Sequence, residues 1–282
     1  DKFRNNELTI SDNSFQSRGL ENISISDNAI SEFERLKESI SKRGVDVHAI
    51  SDDSEFDTPD AVFPNNWISF HHSNRAVLYP MSALNRRFER KSSALKKLSD
   101  QGIKIDIIKD YSHFEKDDKY LEGTGSIVLD RYNKLAYCSL SRRSDYDLLN
   151  IFCSEMNYKP IVFNSVYQSK PIYHTNVMMS ICNNFSIICL DSIEDKKQKN
   201  NIITNLKNSN LEIIDIEIDQ MCSFMGNCIQ LVDTNSNPLL VMSSRAYNAI
   251  KNSQLKIIEK HTDIIHSDIT TIEDNGGGSA RC

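Results

Sequence analysis

The sequence predicts an α/β fold, a pseudo-fivefold α/β propeller built from hairpin–helix–strand repeats. Three observations predict it: a helical apolar period that returns five times, a short β-branched strand after each helix, and a polar-turned hairpin ahead of helices two to five. The expected helices run over Ser26–Arg43, Ser82–Gln101, Ser144–Asn157, Ser192–Asn208 and Ser243–His261. In the second, Leu84, Phe88, Leu95 and Leu98 mark an apolar stripe, with Arg86, Arg87, Glu89 and Lys96 on other faces.

The strands that follow are Val45–Ile50, Ile103–Ile108, Pro160–Phe163, Leu211–Ile216 and Asp263–His266, so the period is 51–58 residues. Glycine stops such as Arg43-Gly44 and Gln101-Gly102 close two of the helices. The hairpins pair Trp67–Phe70 with Ala76–Tyr79, Ser126–Leu129 with Leu135–Cys138, Val177–Ile181 with Ser186–Leu190, and Cys228–Val232 with Leu239–Met242. Their turns are polar, as in His72-Ser73-Asn74 and Thr234-Asn235-Ser236-Asn237. The first helix has no hairpin of its own, and Cys282 stands where one should begin. The expectation is one domain over 1–282, its fifth hairpin split between the segments that flank Asp1 and Cys282.

Composition bounds the function. The chain has 282 residues, 39% hydrophobic and 26% charged, with a formal net charge of −6. An acidic balance argues against nucleic acid or an anionic membrane as the main partner. No apolar run approaches the roughly 20 residues that cross a bilayer, and nothing resembles a signal peptide. The seven cysteines are odd in number and lack a CxxC pair, which reads as free thiols in a reducing cytoplasm. The Cys182/Cys189 and Cys222/Cys228 spacings do not fit a zinc knuckle.

Chemistry gathers in the loops before the hairpins: Asp60 to Asn66, Leu121 to Gly125, Tyr173 to Asn176, Met225 to Asn227, and Gly276 to Cys282. Pseudo-symmetry brings them to one point. A thiol, an imidazole, a carboxylate and several amides would share a pocket there, as covalent acyl or amidino transfer requires. Taken singly, each residue has an ordinary reading. His174 could be a satisfied core imidazole, Glu122 a strand-edge charge or cap, Asn65 and Asn66 turn formers, Trp67 core. Their equivalent positions in successive repeats favour the site.

Five motifs carry a family resemblance. They are Thr58-Pro59-Asp60-Ala61-Val62-Phe63-Pro64-Asn65-Asn66-Trp67, Asn85-Arg86-Arg87, Leu121-Glu122-Gly123-Thr124-Gly125-Ser126, Tyr173-His174-Thr175-Asn176-Val177-Met178-Met179 and Gly276-Gly277-Gly278-Ser279-Ala280-Arg281-Cys282. The chain resembles, over essentially its whole length, the citrulline-utilisation hydrolases, relatives of arginine deiminase and the amidinotransferases with the pentein fold. The resemblance implies Cys282 as nucleophile, His174 as general acid/base and Glu122 as the carboxylate beside it, favouring the charged imidazole. Asp60, Asn65, Asn66 and Asn176 fall in its substrate-binding positions, and Arg87 and Arg143 are candidates for the substrate carboxylate. It implies no metal or organic cofactor, a citrulline- or arginine-like small-molecule partner, and leaves room for a homo-oligomer.

One departure bears on substrate. Arginine deiminases carry Asp at the positions matching Asn66 and Asn176, and those carboxylates grip a guanidinium. An amide can instead donate to a ureido oxygen and accept from a ureido N–H. The reading is hydrolysis of the ureido group of L-citrulline to ornithine, ammonia and carbon dioxide. The alternatives are a guanidino hydrolase of deiminase or dihydrolase type and a non-catalytic pentein-fold binding protein.

Overall fold

The computed structural model describes residues 3–17, 24–52, 55–90 and 92–282. Four of the five expected repeats are present as three-stranded sheets. In each, an antiparallel hairpin is followed by a strand that returns parallel to the second hairpin strand. The first holds Ile68–His71, Arg75–Leu78 and Asp106–Asp110. The second holds Val128–Asp130, Leu135–Ser139 and Lys159–Phe163. The third holds Met179–Ile181, Phe185–Ile188 and Glu212–Asp215. The fourth holds Ile229–Val232, Pro238–Ser243 and Asp263–Ser267. The parallel pairings need a crossover, and the intervening helices supply it.

The middle strands are the most apolar and the most buried. Tyr137, Phe185, Ile187, Ile188 and Leu240 join Phe163 and Ile214 in the largest core cluster, which runs through sheets two to four. A second cluster of Tyr79, Tyr111, Leu148 and Phe152 ties the first repeat to the second. The helix Tyr146–Met156 buries Leu148, Leu149, Phe152 and Cys153, one stripe at helical spacing. Asp145 caps it by accepting from Leu148 N at 2.8 Å, and Asn157 ends it in the left-handed region. Likewise Asp195, not Ser192, caps the helix Lys196–Asn208.

Three expectations are corrected. Segment 45–50 forms no strand: among the described residues it has no ladder partner, and a lone extended segment does not make a sheet. The expected second helix divides into a 3₁₀ turn, Asn85–Glu89, and an α-helix, Ser92–Asp100, with residue 91 outside the described set. Its apolar stripe also fails, because Leu84 and Phe88 are 62% and 47% exposed while Arg86 and Glu89 are buried. The cause is electrostatic: the Arg86 guanidinium turns inward to three carbonyl oxygens and to Glu89. The expected fifth helix breaks into Ser244–Asn248 and Asn252–Glu259. Gln220 Nε2 captures the Ala249 carbonyl at 2.7 Å, and Gln254 caps the second piece at Lys251 N.

The glycine run also proves to be the end of a helix that the sequence period did not reveal, Thr270–Gly276. Glu32, on the first helix, accepts from Thr271 N at 2.9 Å and Ile272 N at 3.0 Å at its start. Gly277 ends it at φ +67°, and its N–H returns to Glu273 O at 2.8 Å. A Cβ on Gly277 would collide with the Asn13 side chain. Gly277→Ala is therefore expected to cost about 1–3 kcal/mol, read as a lower urea midpoint at unchanged m-value; an unchanged midpoint would contradict the assigned conformation.

Candidate active site

Each hairpin is preceded by a single tight turn that aims one or two side chains at the pseudo-axis. Pro64–Asn66, Gly123–Ser126 and Thr175–Met178 all close this way, with Trp67 N, Ile127 N and Met179 N returning to Pro64, Gly123 and Thr175 carbonyls. The turns lock to one another. Thr175 Oγ1 donates to Ser126 O at 2.6 Å and accepts from Ser139 N at 2.8 Å. Thr124 Oγ1 reaches Asn65 O at 3.4 Å.

Glu122 and His174 meet at the centre, their Oε2 and Nε2 2.8 Å apart and both side chains buried. The other Glu122 oxygen accepts from Ser82 N at 2.9 Å, and Arg143 Nη1 lies 3.7 Å from Oε2. Burial alone would raise the Glu122 carboxyl. Arg143, the His174 hydrogen bond and Arg86 outweigh it and hold the group at about 2. His174 is shifted down, by burial first, against the opposing pull of Glu122 and with help from Arg143 and Arg86. Glu122 favours the charged imidazole, as its expected role requires, but desolvation outweighs that pull.

Asn66 is buried, and its Oδ1 accepts from Arg86 Nη1 at 2.7 Å. That bond fixes the amide: Nδ2 has no protein partner. Asn176 is the converse case. Its Nδ2 lies 3.3 Å from Cys282 Sγ, and its Oδ1 is buried without a partner. Asp60 is buried between Asn6 Nδ2 at 2.8 Å and Arg86 Nε at 3.7 Å, with Oδ1 unpartnered, and burial raises its carboxyl against Arg86.

Asp60, Asn66, His174, Cys282 and Arg143 border one small cavity, with Thr9, Asn13, Phe63, Arg86, Tyr173, Gly276 and Gly278. The free volume is about 10 Å³, a single water's worth. Thr9 and Asn13 bring segment 3–17 into its wall. Asp12 pairs with Arg143 through both carboxylate oxygens, and Arg143 also donates to Thr9 O at 3.2 Å and lies 4.9 Å over the Tyr173 ring.

Two residues singled out in the sequence fall elsewhere. Arg87 lies outside the cavity, donating to Met81 O at 3.0 Å and Tyr120 Oη at 3.3 Å, with Glu115 at 3.5 Å. Its neighbour Arg86 takes the inward position, because the 3₁₀ turn sets the phase. Asn65 contributes a backbone oxygen, while both polar atoms of its side chain are buried without partners.

Arg86, Tyr173, Asn227 and segment 3–17 were missed as site residues. Asn227 had a signal, since it stands in the fourth equivalent loop. Segment 3–17 had none, being polar and without period. Six further cysteines are free, five of them buried, and among the described residues no group of three His, Cys, Asp or Glu could hold a metal ion. No described helix is long and apolar enough to cross a membrane.

The fold matches known proteins. A family model described as N,N dimethylarginine dimethylhydrolase, eukaryotic, matches residues 1–282. Among solved structures, the chain is similar to ArgZ, an arginine dihydrolase from the ornithine–ammonia cycle in cyanobacteria, at TM-score 0.76 and 15% identity. That match covers 100% of this chain and 38% of ArgZ, so the chain spans little more than a third of that protein. The N-terminal domain of ArgZ, solved with product bound, matches at TM-score 0.69 and 14% identity, covering 96% of this chain and 93% of the domain. A dimethylarginine dimethylaminohydrolase, solved as an adduct with S-methyl-L-thiocitrulline, matches at TM-score 0.60 and 14% identity, with 94% of each chain covered. No curated protein matches. The likeness bears out the pseudo-fivefold α/β architecture and the pentein resemblance.

The buried Glu122 gives a pH signature. Its value lies below the ordinary glutamate value of 4.5, so its stabilisation is full above that pH and drains away as pH falls toward about 2. Glu122→Gln is expected to cost about 3–5 kcal/mol near pH 7. Urea unfolding of both proteins at a series of pH values should show the gap narrowing below pH 4.5; a gap independent of pH would count against the charge.

Proposed function

The chain belongs to the eukaryotic N,N-dimethylarginine dimethylhydrolase family within the pentein superfamily, and from the amides of its site we propose that it hydrolyses the ureido group of L-citrulline through a covalent Cys282 intermediate. The supporting observation is the pair of unpartnered amide atoms, the Asn66 Nδ2 donor and the Asn176 Oδ1 acceptor. A guanidinium offers donors only and would leave Asn66 Nδ2 facing N–H groups. A ureido group offers a carbonyl oxygen to Asn66 and an N–H to Asn176.

The chemistry follows from the side chains. Cys282 Sγ, as thiolate, bonds to the ureido carbon, and the oxygen takes the developing negative charge against Asn66 Nδ2. As the C–N bond breaks, the imidazolium of His174, having gained the thiol proton, passes a proton to the departing amine. Neutral His174 then takes a proton from water, whose oxygen displaces Sγ and releases the carbamate, which yields carbon dioxide and amine. Glu122 holds the imidazole through Nε2. Arg143 lines the cavity and Arg87 does not, so Arg143 is the candidate for the substrate carboxylate, which would have to displace Asp12 from its fork. The reaction needs no cofactor and is assigned to a single cytoplasmic domain.

A second reading, a guanidino hydrolase, is favoured by the family match and by the unpartnered Asp60 Oδ1 beside the cavity. Products separate the two. Citrulline should yield ornithine and ammonia, and Cys282→Ala or His174→Ala should abolish that release. Turnover of arginine or dimethylarginine with citrulline inert would sink the ureido reading. Asn66→Asp removes the oxyanion donor and should lower citrulline turnover by roughly 10²–10³, measured as ornithine formed per minute.

A further inference from the structure

We propose that Asp12 is a specificity-determining residue of this site, one that selects ligands with an ammonium group on the carbon that bears their carboxylate. The ligand carboxylate takes the Arg143 fork, and the ammonium takes the Asp12 carboxylate that this releases. The proposal rests on the reading of the site as one that takes an amino acid by its carboxylate at Arg143. Asp12 meets Arg143 at Nε, 3.2 Å away, and at Nη2. Thr9 O accepts from the same Nη2 at 3.2 Å. Two acceptors of segment 3–17 therefore converge on one cationic nitrogen. The cavity beside them has room for about one water, so an amino acid binds there only by parting the pair.

Segment 3–17 is held on both sides of Asp12. Asn6 Nδ2 donates to Asp60 Oδ2 at 2.8 Å, and Asn13 Nδ2 donates to Gly276 O at 3.3 Å. Phe15 stacks on Tyr167 with ring centroids 5.4 Å apart and meets Tyr173 and Phe224. Asp12 thus leaves Arg143 by turning its side chain, while its backbone stays in place. Its side chain is only 26% exposed, and a carboxylate so enclosed is destabilised when its cation is taken. A ligand that brings a carboxylate alone causes that loss. A ligand whose ammonium stands on the next atom repairs it, with three donors to share between Asp12 and Thr9 O. One ion pair becomes two. Asp60 Oδ1, buried without a partner, is the rival acceptor at this cavity, but Asp60 pairs with Arg86 and keeps that cation when Arg143 is engaged.

The test compares ligands that differ only in the ammonium. Binding is measured by calorimetry in the full chain carrying Cys282→Ala, so that nothing is consumed. One pair is L-citrulline and 5-ureidopentanoate; the other is L-arginine and 5-guanidinopentanoate. With Asp12 in place, the amino acid of at least one pair should bind about tenfold or more tightly than its counterpart. Asp12→Asn keeps the shape and one acceptor but not the charge, and should shrink that ratio about tenfold. Thermal melting checks folding, and Asp12→Ser serves should the asparagine variant not fold. An unmoved ratio overturns the proposal: both ligands binding tighter by one factor would make Asp12 a mere competitor for Arg143, and no change in either would give the ammonium to Asp60. A lack of preference for the amino acid in both pairs overturns it as well. Binding confined to the arginine pair would end the ureido reading and leave the role of Asp12 standing.

Discussion

A single buried carboxylate, Glu122, organises the centre of the molecule. It is fully enclosed, and a charge so placed survives only with partners. Those partners come from three directions: the Ser82 amide, the His174 ring, and the Arg143 guanidinium. Arg143 in turn recruits Asp12, while Arg86 is held by Glu89 and stands near Asp60. Neutralising one charge thus fixes the relative positions of segment 3–17 and of the first three loops. Burial is felt unequally along the network: it lifts Glu89 to about 7 even with Arg86 beside it, whereas Glu122 stays at about 2.

The same network decides which amide atoms are left without a protein partner. Arg86 takes the Asn66 oxygen and leaves the nitrogen, and the Asn227 and Asn176 amides take the sulfur and leave an oxygen. Orientation of amides, more than their identity, is what distinguishes this centre from one built of carboxylates. Close approach is part of it, since a Cβ on Gly125 would collide with Asn66 Nδ2 and lie 2.7 Å from His174 Nδ1.

Much of the plan was legible in the residues. The period of the strands located four sheets to within about three residues, because middle strands such as Leu135–Ser139 are apolar on both faces and their turns are polar. Glu122, His174 and Cys282 were legible because equivalent loops carry unlike chemistry. What was hidden depended on tertiary electrostatics. Nothing in Asn85-Arg86-Arg87 says which arginine turns inward, since a 3₁₀ turn and an α-turn give different phases. The stripe of Leu84 and Phe88 obeyed helical spacing and still faced outward. Segment 45–50 has β-branched residues but no described partner, and strand propensity without pairing is not a strand.

The loop that carries Cys282 is tied to segment 3–17 by side chains. Gln16 Nε2 donates to Asn275 O at 2.8 Å, Asn13 Nδ2 to Gly276 O at 3.3 Å, and Ser17 to Asp274 O. These contacts join residues 259 and 263 positions apart. In polymer terms they close nearly the longest loop the chain can form, and closure entropy grows only slowly with that length. Its cost falls chiefly on rate, because contacts of such sequence separation form late. The cavity therefore exists only where two segments far apart in the chain have met. A cysteine poised between amides exists only in chains that have completed their circuit, so partly folded molecules would carry the thiol without its setting.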